Sequence, residues 1–128
     1  MIRASIPGER RLIVALDVPS GAKARDLVRQ LGDSVSFYKV GLELFTGADG
    51  FAVVDWLSDQ GKQVFVDLKF FDVPATIARA VKQLQARNIT FATVHGNDTI
   101  MRAAAEASSD VGILAVTVLT SLDSADMR

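Results

Sequence analysis

Five short apolar runs, rich in β-branched residues, recur along the chain and are separated by segments with helical spacing. Apolar residues follow the i, i+3, i+4, i+7 pattern within 24–31 and again within 77–84. Strands that alternate with helices predict right-handed βαβ units and a parallel sheet. The predicted strands are "LIVALDV" (12–18), "VSFYKVG" (35–41), "QVFVDLK" (63–69), "FATVHG" (91–96) and "GILAVTVL" (112–119).

Local signals predict where the helices begin and end. Ser20 is a suitable N-cap, and Pro74 suits the first turn of a helix. Gly61 and Asn88 are expected near C-terminal caps, because both residue types tolerate the left-handed backbone conformation. Asp98, which follows "HGN", is predicted to cap a helix rather than to bind a ligand.

Two architectures are compatible with these units. A doubly wound sheet of five strands fits 128 residues, whereas a (β/α)₈ barrel needs at least about 200. Against the first, "LDVPSGAK" after the first strand lacks both nucleotide-binding glycine patterns. Instead, polar residues lie at or near the C-terminal end of every predicted strand, where barrels collect their chemistry. These residues are Asp17, Lys39, Asp67 with Lys69, His95, and Thr117 with Thr120.

Composition excludes several classes of partner. The 14 Lys and Arg residues are balanced by 15 Asp and Glu residues, so the basic excess expected of a nucleic-acid-binding protein is missing. No apolar run approaches the 18 residues of a membrane span, and the N-terminal stretch lacks the apolar centre of a secretory signal. Because the chain also has no cysteine, we expect a cytoplasmic protein without membrane or nucleic-acid partners.

The stretch "FVDLKFFD" (65–72) places three charges in otherwise apolar sequence. Strand alternation predicts that Phe65, Asp67 and Lys69 share one face, with Lys39 adjacent on the neighbouring strand. Asp72 breaks this alternation, so it need not point into the same cavity from the same chain. Such a cluster is either a buried ion-pair network that fixes strand register or a functional site with perturbed pKa values.

A carboxylate held between lysines suggests one reaction in particular. It would disfavour a second carboxylate placed beside it, so that loss of CO₂ from a substrate relieves the repulsion. A nearby ammonium could then stabilise and protonate the carbanion. Preorganised electrostatic stabilisation of the carbanion is the competing description of the same arrangement. Neither description requires a metal.

The residues of this cluster resemble a family signature. "VDLKFFDVPATI" is similar to the D-x-K-x-x-D-[IV]-P-x-T stretch of orotidine 5'-monophosphate decarboxylases. "ALDV" and "YKVGLELF" before it, and "TVHG" and "VTVLTS" after it, have the expected order and spacing, so the resemblance covers the chain from about residue 11 to 128. The resemblance implies an α/β fold of the (β/α)₈ TIM-barrel type, with about the first five strands in a single domain, 1–128. It also implies cofactor-independent conversion of orotidine monophosphate (OMP) to uridine monophosphate (UMP) in de novo pyrimidine biosynthesis.

The resemblance assigns catalytic roles to four residues. Lys39, Asp67, Lys69 and Asp72 match the charged tetrad of the family. Lys69 would protonate C6 of the pyrimidine, and Asp67 would lie beside the departing CO₂. Asp72 would be contributed across a homodimer interface, which explains why it breaks the strand alternation.

Substrate-binding positions follow from the same resemblance. Asp17 and Lys39 match contacts to the ribose hydroxyls, and Thr120 matches a residue that faces the pyrimidine ring. Thr76, like Asp72, matches a position contributed by the partner subunit.

Three alternatives remain open at this stage. Sugar-phosphate decarboxylases that act on 3-keto-gulonate 6-phosphate share the D-x-K-x-x-D core and use magnesium, but they carry a glutamate where this chain has Lys39 and lack "DVPATI". No segment of the chain resembles the Gly-Arg motif with which the family binds the substrate phosphate. The chain is therefore expected to be a fragment of a longer enzyme, or a non-catalytic half-barrel that pairs with a complementary C-terminal half.

Three further side chains carry expectations without a proposed chemistry. Phe51 and Trp56 are predicted to lie on the buried face of a helix. His95 is expected to be a structural or rim residue rather than an acid or base.

Overall fold

The computed structural model describes residues 5–47 and 49–127. Its five parallel strands form one sheet in the order β1-β2-β3-β4-β5. The strands are β1 (Val14–Ala15), β2 (Phe37–Gly41), β3 (Gln63–Phe70), β4 (Phe91–His95) and β5 (Gly112–Val116), and the helices are α1 (Gly21–Leu31), α2 (Leu42–Thr46), α3 (Gly50–Asp59), α4 (Pro74–Gln85) and α5 (Asp98–Ala107).

The sequential strand order decides between the two architectures. A doubly wound sheet reverses direction at a switch point, whereas each strand here lies beside the one that precedes it in the chain. Right-handed crossovers in such an order place every helix on the same face of the sheet. The doubly wound alternative is therefore wrong, and the sheet is of the barrel type.

Strand alternation separates a helix-covered face from a functional face. Val64 and Val66 of β3 are 1% exposed and pack in the core with residues of α1 and α3. Val94 of β4 packs in the same manner against α4 and α5. The opposite parity carries Phe65 and Asp67, as the sequence predicts. All charged residues of the strands therefore lie on the face that the helices leave open.

Most predicted helix ends are confirmed. The Ser20 side chain accepts a hydrogen bond from the backbone N–H of Lys23 at 3.2 Å, and Pro74 begins α4. Gly61 and Asn88 follow α3 and α4 with φ of 73° and 59°, in the left-handed region that ends a helix.

The cap of α5 differs from the prediction. Asn97, rather than Asp98, accepts hydrogen bonds from the backbone N–H groups of Thr99 and Ile100, at 3.0 and 3.4 Å. Asp98 begins the helix one residue later. Both residue types cap well, so composition alone did not distinguish the two neighbouring positions.

The prediction of a buried Phe51 is also wrong. This side chain is 41% exposed, lies edge-on to the Phe45 ring at 4.8 Å, and is covered by the Arg87 guanidinium at 4.3 Å. Trp56 is half-buried at the rim of the core. The buried stripe of α3 lies between them, so each flanks the core instead of filling it.

Strand β5 ends earlier than its apolar sequence suggests. The last inter-strand hydrogen bond joins the Gly96 N–H to the Val116 carbonyl at 2.8 Å. Thr117 and Thr120 therefore lie beyond the strand, on an exposed segment. Among the described residues β5 has β4 as its single neighbour, so no second strand extends its pairing.

Candidate active site

Three of the predicted charges form a compact cluster at the C-terminal edge of the sheet. Gly41 of β2 pairs with Asp67 of β3, which brings Lys39 and Asp67 onto the same open face. The Lys39 Nζ lies 3.4 Å from the Asp67 Oδ2. The Lys69 Nζ donates to both carboxylate oxygens at 3.0 Å. Asp67 is the least accessible of the three, with a side chain 11% exposed against 27% and 41% for the lysines.

A β-bulge, which the sequence did not reveal, shapes this cluster. Val66 pairs with Ala92 and Phe70 with Val94, so β3 advances four residues while β4 advances two. Lys69 lies inside the bulge with φ of 49°, a left-handed conformation that is uncommon for a side chain of this size. Such conformations persist only when the surroundings enforce them, and they concentrate at functional sites.

Thr93 is the site residue that the sequence analysis missed. It is 5% exposed and lies on β4 opposite the bulge. Its hydroxyl donates to the Asp67 Oδ1 at 2.7 Å and accepts from the Lys69 backbone N–H at 3.0 Å. Thr93 lies two residues before His95 in "FATVHG", so strand alternation places both side chains on the same face of the sheet. Threonine is common in strands, however, so Thr93 does not stand out there.

The surroundings of Asp67 fix its charge. Burial by itself raises the pKa of this carboxyl, but hydrogen bonds from Thr93 and Lys69 and the charges of Lys69 and Lys39 together hold the pKa below its ordinary value. Asp67 is therefore ionised at neutral pH and is held by three partners. The cluster presents an anion that cannot turn away, together with two ammonium groups.

Asp17 lies beside the cluster without joining it. It follows β1 and is exposed. Its Oδ1 would lie 4.0 Å from a Cβ added to Gly41, and the Asp67 carbonyl oxygen would lie 3.5 Å from the same point. Both atoms are at van der Waals distance from that point, so Gly41 lies between Asp17 and the charged cluster.

The structure does not bring Asp72 and Thr76 into the cluster. The Asp72 carboxylate accepts a hydrogen bond from the next backbone N–H, that of Val73, at 2.6 Å. The Thr76 hydroxyl accepts from Arg79 at 3.3 Å. The segment that carries Asp72 also exposes two large apolar side chains, Phe71 at 73% and Val73 at 61%.

A cavity of about 230 Å³ opens beside Lys69 and His95. Its other walls are largely apolar and come from the end of β5 and the segment that follows it, within 116–122. The His95 ring also packs against Phe71 at 4.6 Å, which places His95 at the rim as expected. Thr120 lies in the same segment but is exposed and does not line the cavity.

Within residues 5–47 and 49–127, no three His, Cys, Asp or Glu side chains come close enough together to hold an ion. The neighbours of Asp67 are instead the cations Lys39 and Lys69.

Sequence comparison places the chain among decarboxylases. The family described as "Orotidine 5'-phosphate decarboxylase / HUMPS family" matches residues 10–128. A curated relative from Methylococcus capsulatus, named orotidine 5'-phosphate decarboxylase, is 64% identical over 96% of this chain and 51% of its own length. A relative of the same name from Stenotrophomonas maltophilia is 50% identical over 99% of this chain and 54% of its own length. The chain thus spans about half the length of these relatives.

Solved structures show the same fold. Orotidine 5'-phosphate decarboxylase from Lactobacillus acidophilus matches with a TM-score of 0.82 at 36% identity, over 91% of this chain and 57% of that one. The enzyme of the same name from Thermotoga maritima matches with a TM-score of 0.72 at 26% identity, over 87% and 56%. The predicted five-strand portion of a barrel-type α/β fold is confirmed.

The first testable prediction concerns the charge of Asp67. Lys39→Met removes one positive charge while the methionine keeps the carboxyl buried, so the pKa of Asp67 should rise. A ¹³C NMR titration of the Asp67 carboxyl measures this directly. Lys23→Met, at an exposed position on α1, is the matched control and should leave the pKa of Asp67 unchanged. An equal pKa in all three proteins would contradict the proposed electrostatic coupling.

Proposed function

This chain belongs to the orotidine 5'-phosphate decarboxylase / HUMPS family, and from that premise we propose that the protein converts OMP to UMP without a cofactor. The observation that carries the proposal is the ionised Asp67 held between Lys39 and Lys69. Because the chain spans about half the length of its relatives, the activity is proposed for the whole barrel to which these strands contribute.

In the first step, the substrate's C6 carboxylate is placed against Asp67. Two like charges in close contact raise the energy of the bound substrate, and Asp67 does not rotate away because Thr93 and both lysines hold it. Binding energy from the rest of the nucleotide compensates for this repulsion. The C–C bond to the carboxylate then breaks and CO₂ departs.

In the second step, the electron pair left at C6 is stabilised and protonated. The Lys69 ammonium is the proposed proton donor, because it is the more exposed lysine and lies beside the cavity of about 230 Å³. Proton transfer from its Nζ gives UMP and a neutral amine, which recovers a proton from water. The ammonium groups stabilise the developing negative charge in the transition state, as preorganised electrostatics requires.

Contacts to the remainder of the nucleotide are proposed from the family resemblance. Asp17 and Lys39 bind the ribose hydroxyls, a role supported by the position of Asp17 beside Gly41, next to the cluster. Thr120 faces the pyrimidine ring, and its neighbours in the chain line the cavity beside Lys69.

The protein is further proposed to act as a homodimer in which Asp72 and Thr76 complete the partner's site. This assignment accounts for an acidic residue that contacts no lysine of the cluster in the described part of the chain. It also accounts for the exposed Phe71 and Val73 on the same segment, since large apolar side chains are expected to be covered in an assembly.

Two further features of the proposal concern the rest of the protein. Residues 1–128 form one α/β domain, the N-terminal portion of the barrel, and a complementary C-terminal half pairs with the exposed edges of β1 and β5. We place the enzyme in the cytoplasm, consistent with its lack of cysteine. In the part of the chain that the structure describes, no helix is long and apolar enough to cross a membrane.

The catalytic role of Lys69 can be tested in a complete barrel. We suggest fusing this chain to the C-terminal portion of the Methylococcus capsulatus relative and following the ultraviolet absorbance of OMP. The fusion should decarboxylate OMP, and Lys69→Ala should reduce turnover by about 10²- to 10⁴-fold, the usual contribution of a positioned general acid. Lys82→Ala, which removes an exposed lysine in the last turn of α4, is the matched control.

The same assay separates the alternatives. A folded fusion that decarboxylates 3-keto-gulonate 6-phosphate with magnesium, and not OMP, would identify a sugar-phosphate enzyme instead. A folded fusion without turnover on either substrate would leave the charged cluster as a structural network in a non-catalytic half-barrel.

Shared sites can be tested by mixing inactive subunits. Lys69→Ala and Asp72→Ala fusions should each be inactive, but a mixed dimer contains one site with neither substitution. Random reassociation should therefore restore about a quarter of the wild-type activity, as two-fold symmetry dictates. Mixing Lys69→Ala with Asp67→Asn is the matched control and should restore none, because both residues come from the same chain. No recovery in the first mixture, or full activity of Asp72→Ala alone, would refute the shared site.

A further inference from the structure

Thr93 on β4 lies between Asp67 and Lys69, the two candidate catalytic residues of β3. It is the buried polar residue of the described core, and its hydroxyl contacts the Asp67 carboxylate and the Lys69 backbone at once. We propose that Thr93 is a positioning residue, whose hydroxyl fixes the relative placement of the Asp67 carboxylate and the Lys69 ammonium. The consequence for turnover rests on the proposed function, whereas the placement itself does not.

The direction of both hydrogen bonds is fixed by chemistry. The Lys69 backbone N–H is a donor only, so the Thr93 oxygen must accept from it at 3.0 Å. An ionised Asp67 is an acceptor only, so the Thr93 hydroxyl proton must point to its Oδ1, 2.7 Å away. The three groups form a one-way chain from amide to hydroxyl to carboxylate, in which each bond polarises the next.

The bulge explains why a side chain is needed here. Between Val66 and Phe70, β3 has more residues than β4 can pair, so Lys69 has no paired residue on β4. Its backbone N–H donates to the Thr93 side chain. It thereby supports the left-handed conformation of Lys69, with φ of 49°, that folds its ammonium back onto Asp67.

Loss of the hydroxyl should therefore disturb both charges together. The Asp67 carboxylate would lose a donor to Oδ1, and the Lys69 backbone would lose the bond that holds it in the bulge. Valine has nearly the shape of threonine without the hydroxyl, whereas serine keeps the hydroxyl and loses only a methyl group. The pair of variants thus separates hydrogen bonding from packing.

The test begins with the chain itself, by NMR and without substrate. Thr93→Val should raise the pKa of Asp67 and speed hydrogen exchange at the Lys69 amide, while Thr93→Ser should keep both close to wild type. In the fusion enzyme, Thr93→Val should lower kcat about 10- to 100-fold, as small displacements of reacting groups do, with a smaller change in KM. Thr93→Ser should recover most of this loss.

Several outcomes would overturn the inference. An unchanged Asp67 pKa in a folded Thr93→Val protein would do so, as would equal effects of valine and serine, which would indicate packing alone. Fast exchange of the Lys69 amide in the wild-type protein would do so without any variant, even where Thr93→Val fails to fold. If the NMR effects occur but the wild-type fusion does not decarboxylate OMP, the positioning role stands and the proposed function fails.

Discussion

The ion pairs of Asp67 with Lys39 and Lys69 are the constraint on which the rest of the site depends. Burying a carboxylate costs several kcal/mol unless opposite charges and hydrogen bonds compensate, and here two ammonium groups and one hydroxyl do so. The pairs form only when β2 and β3 keep the register that places Gly41 opposite Asp67. The register in turn depends on the apolar strand residues that pack against the helices on the other face.

The parallel sheet places the charged cluster together with other polar side chains at one edge. Because all five strands are parallel and sequential, their C-terminal ends meet at one edge, and the helices leave one face open. Asp17, the charged cluster and His95 all reach that edge from different strands. The bulge in β3 then adds what a regular strand lacks, since it folds Lys69 back onto a carboxylate two residues earlier. The regular parallel sheet together with the bulge in β3 thus holds the charges of Lys39, Asp67 and Lys69 at fixed distances from one another.

The features of the fold that depend on a regular repeat of apolar residues were predictable from the sequence. The five strands follow from their apolar, β-branched runs, and their parallel pairing follows from the alternation of strands with helices. The face that carries Asp67 follows from the period of two along a strand. The bulge and the role of Thr93 did not follow, since both depend on how two strands slip past each other, which no single segment encodes. Phe51 and Asn97 were missed for a related reason: a helix pattern does not fix its flanks or its first residue to within one position. The placement of Asp72 across a dimer remains a prediction.

The most direct test of the central claim is the steady-state kinetics of Asp67→Asn in the fusion enzyme. If an immovable anion acts against the substrate carboxylate, kcat should fall by about 100-fold or more, while KM for OMP stays the same or decreases because the repulsion is relieved. Binding of UMP, which has no C6 carboxylate, should be unaffected. An unchanged kcat, or a higher KM with kcat preserved, would show that Asp67 contributes only to uniform binding and would contradict the mechanism.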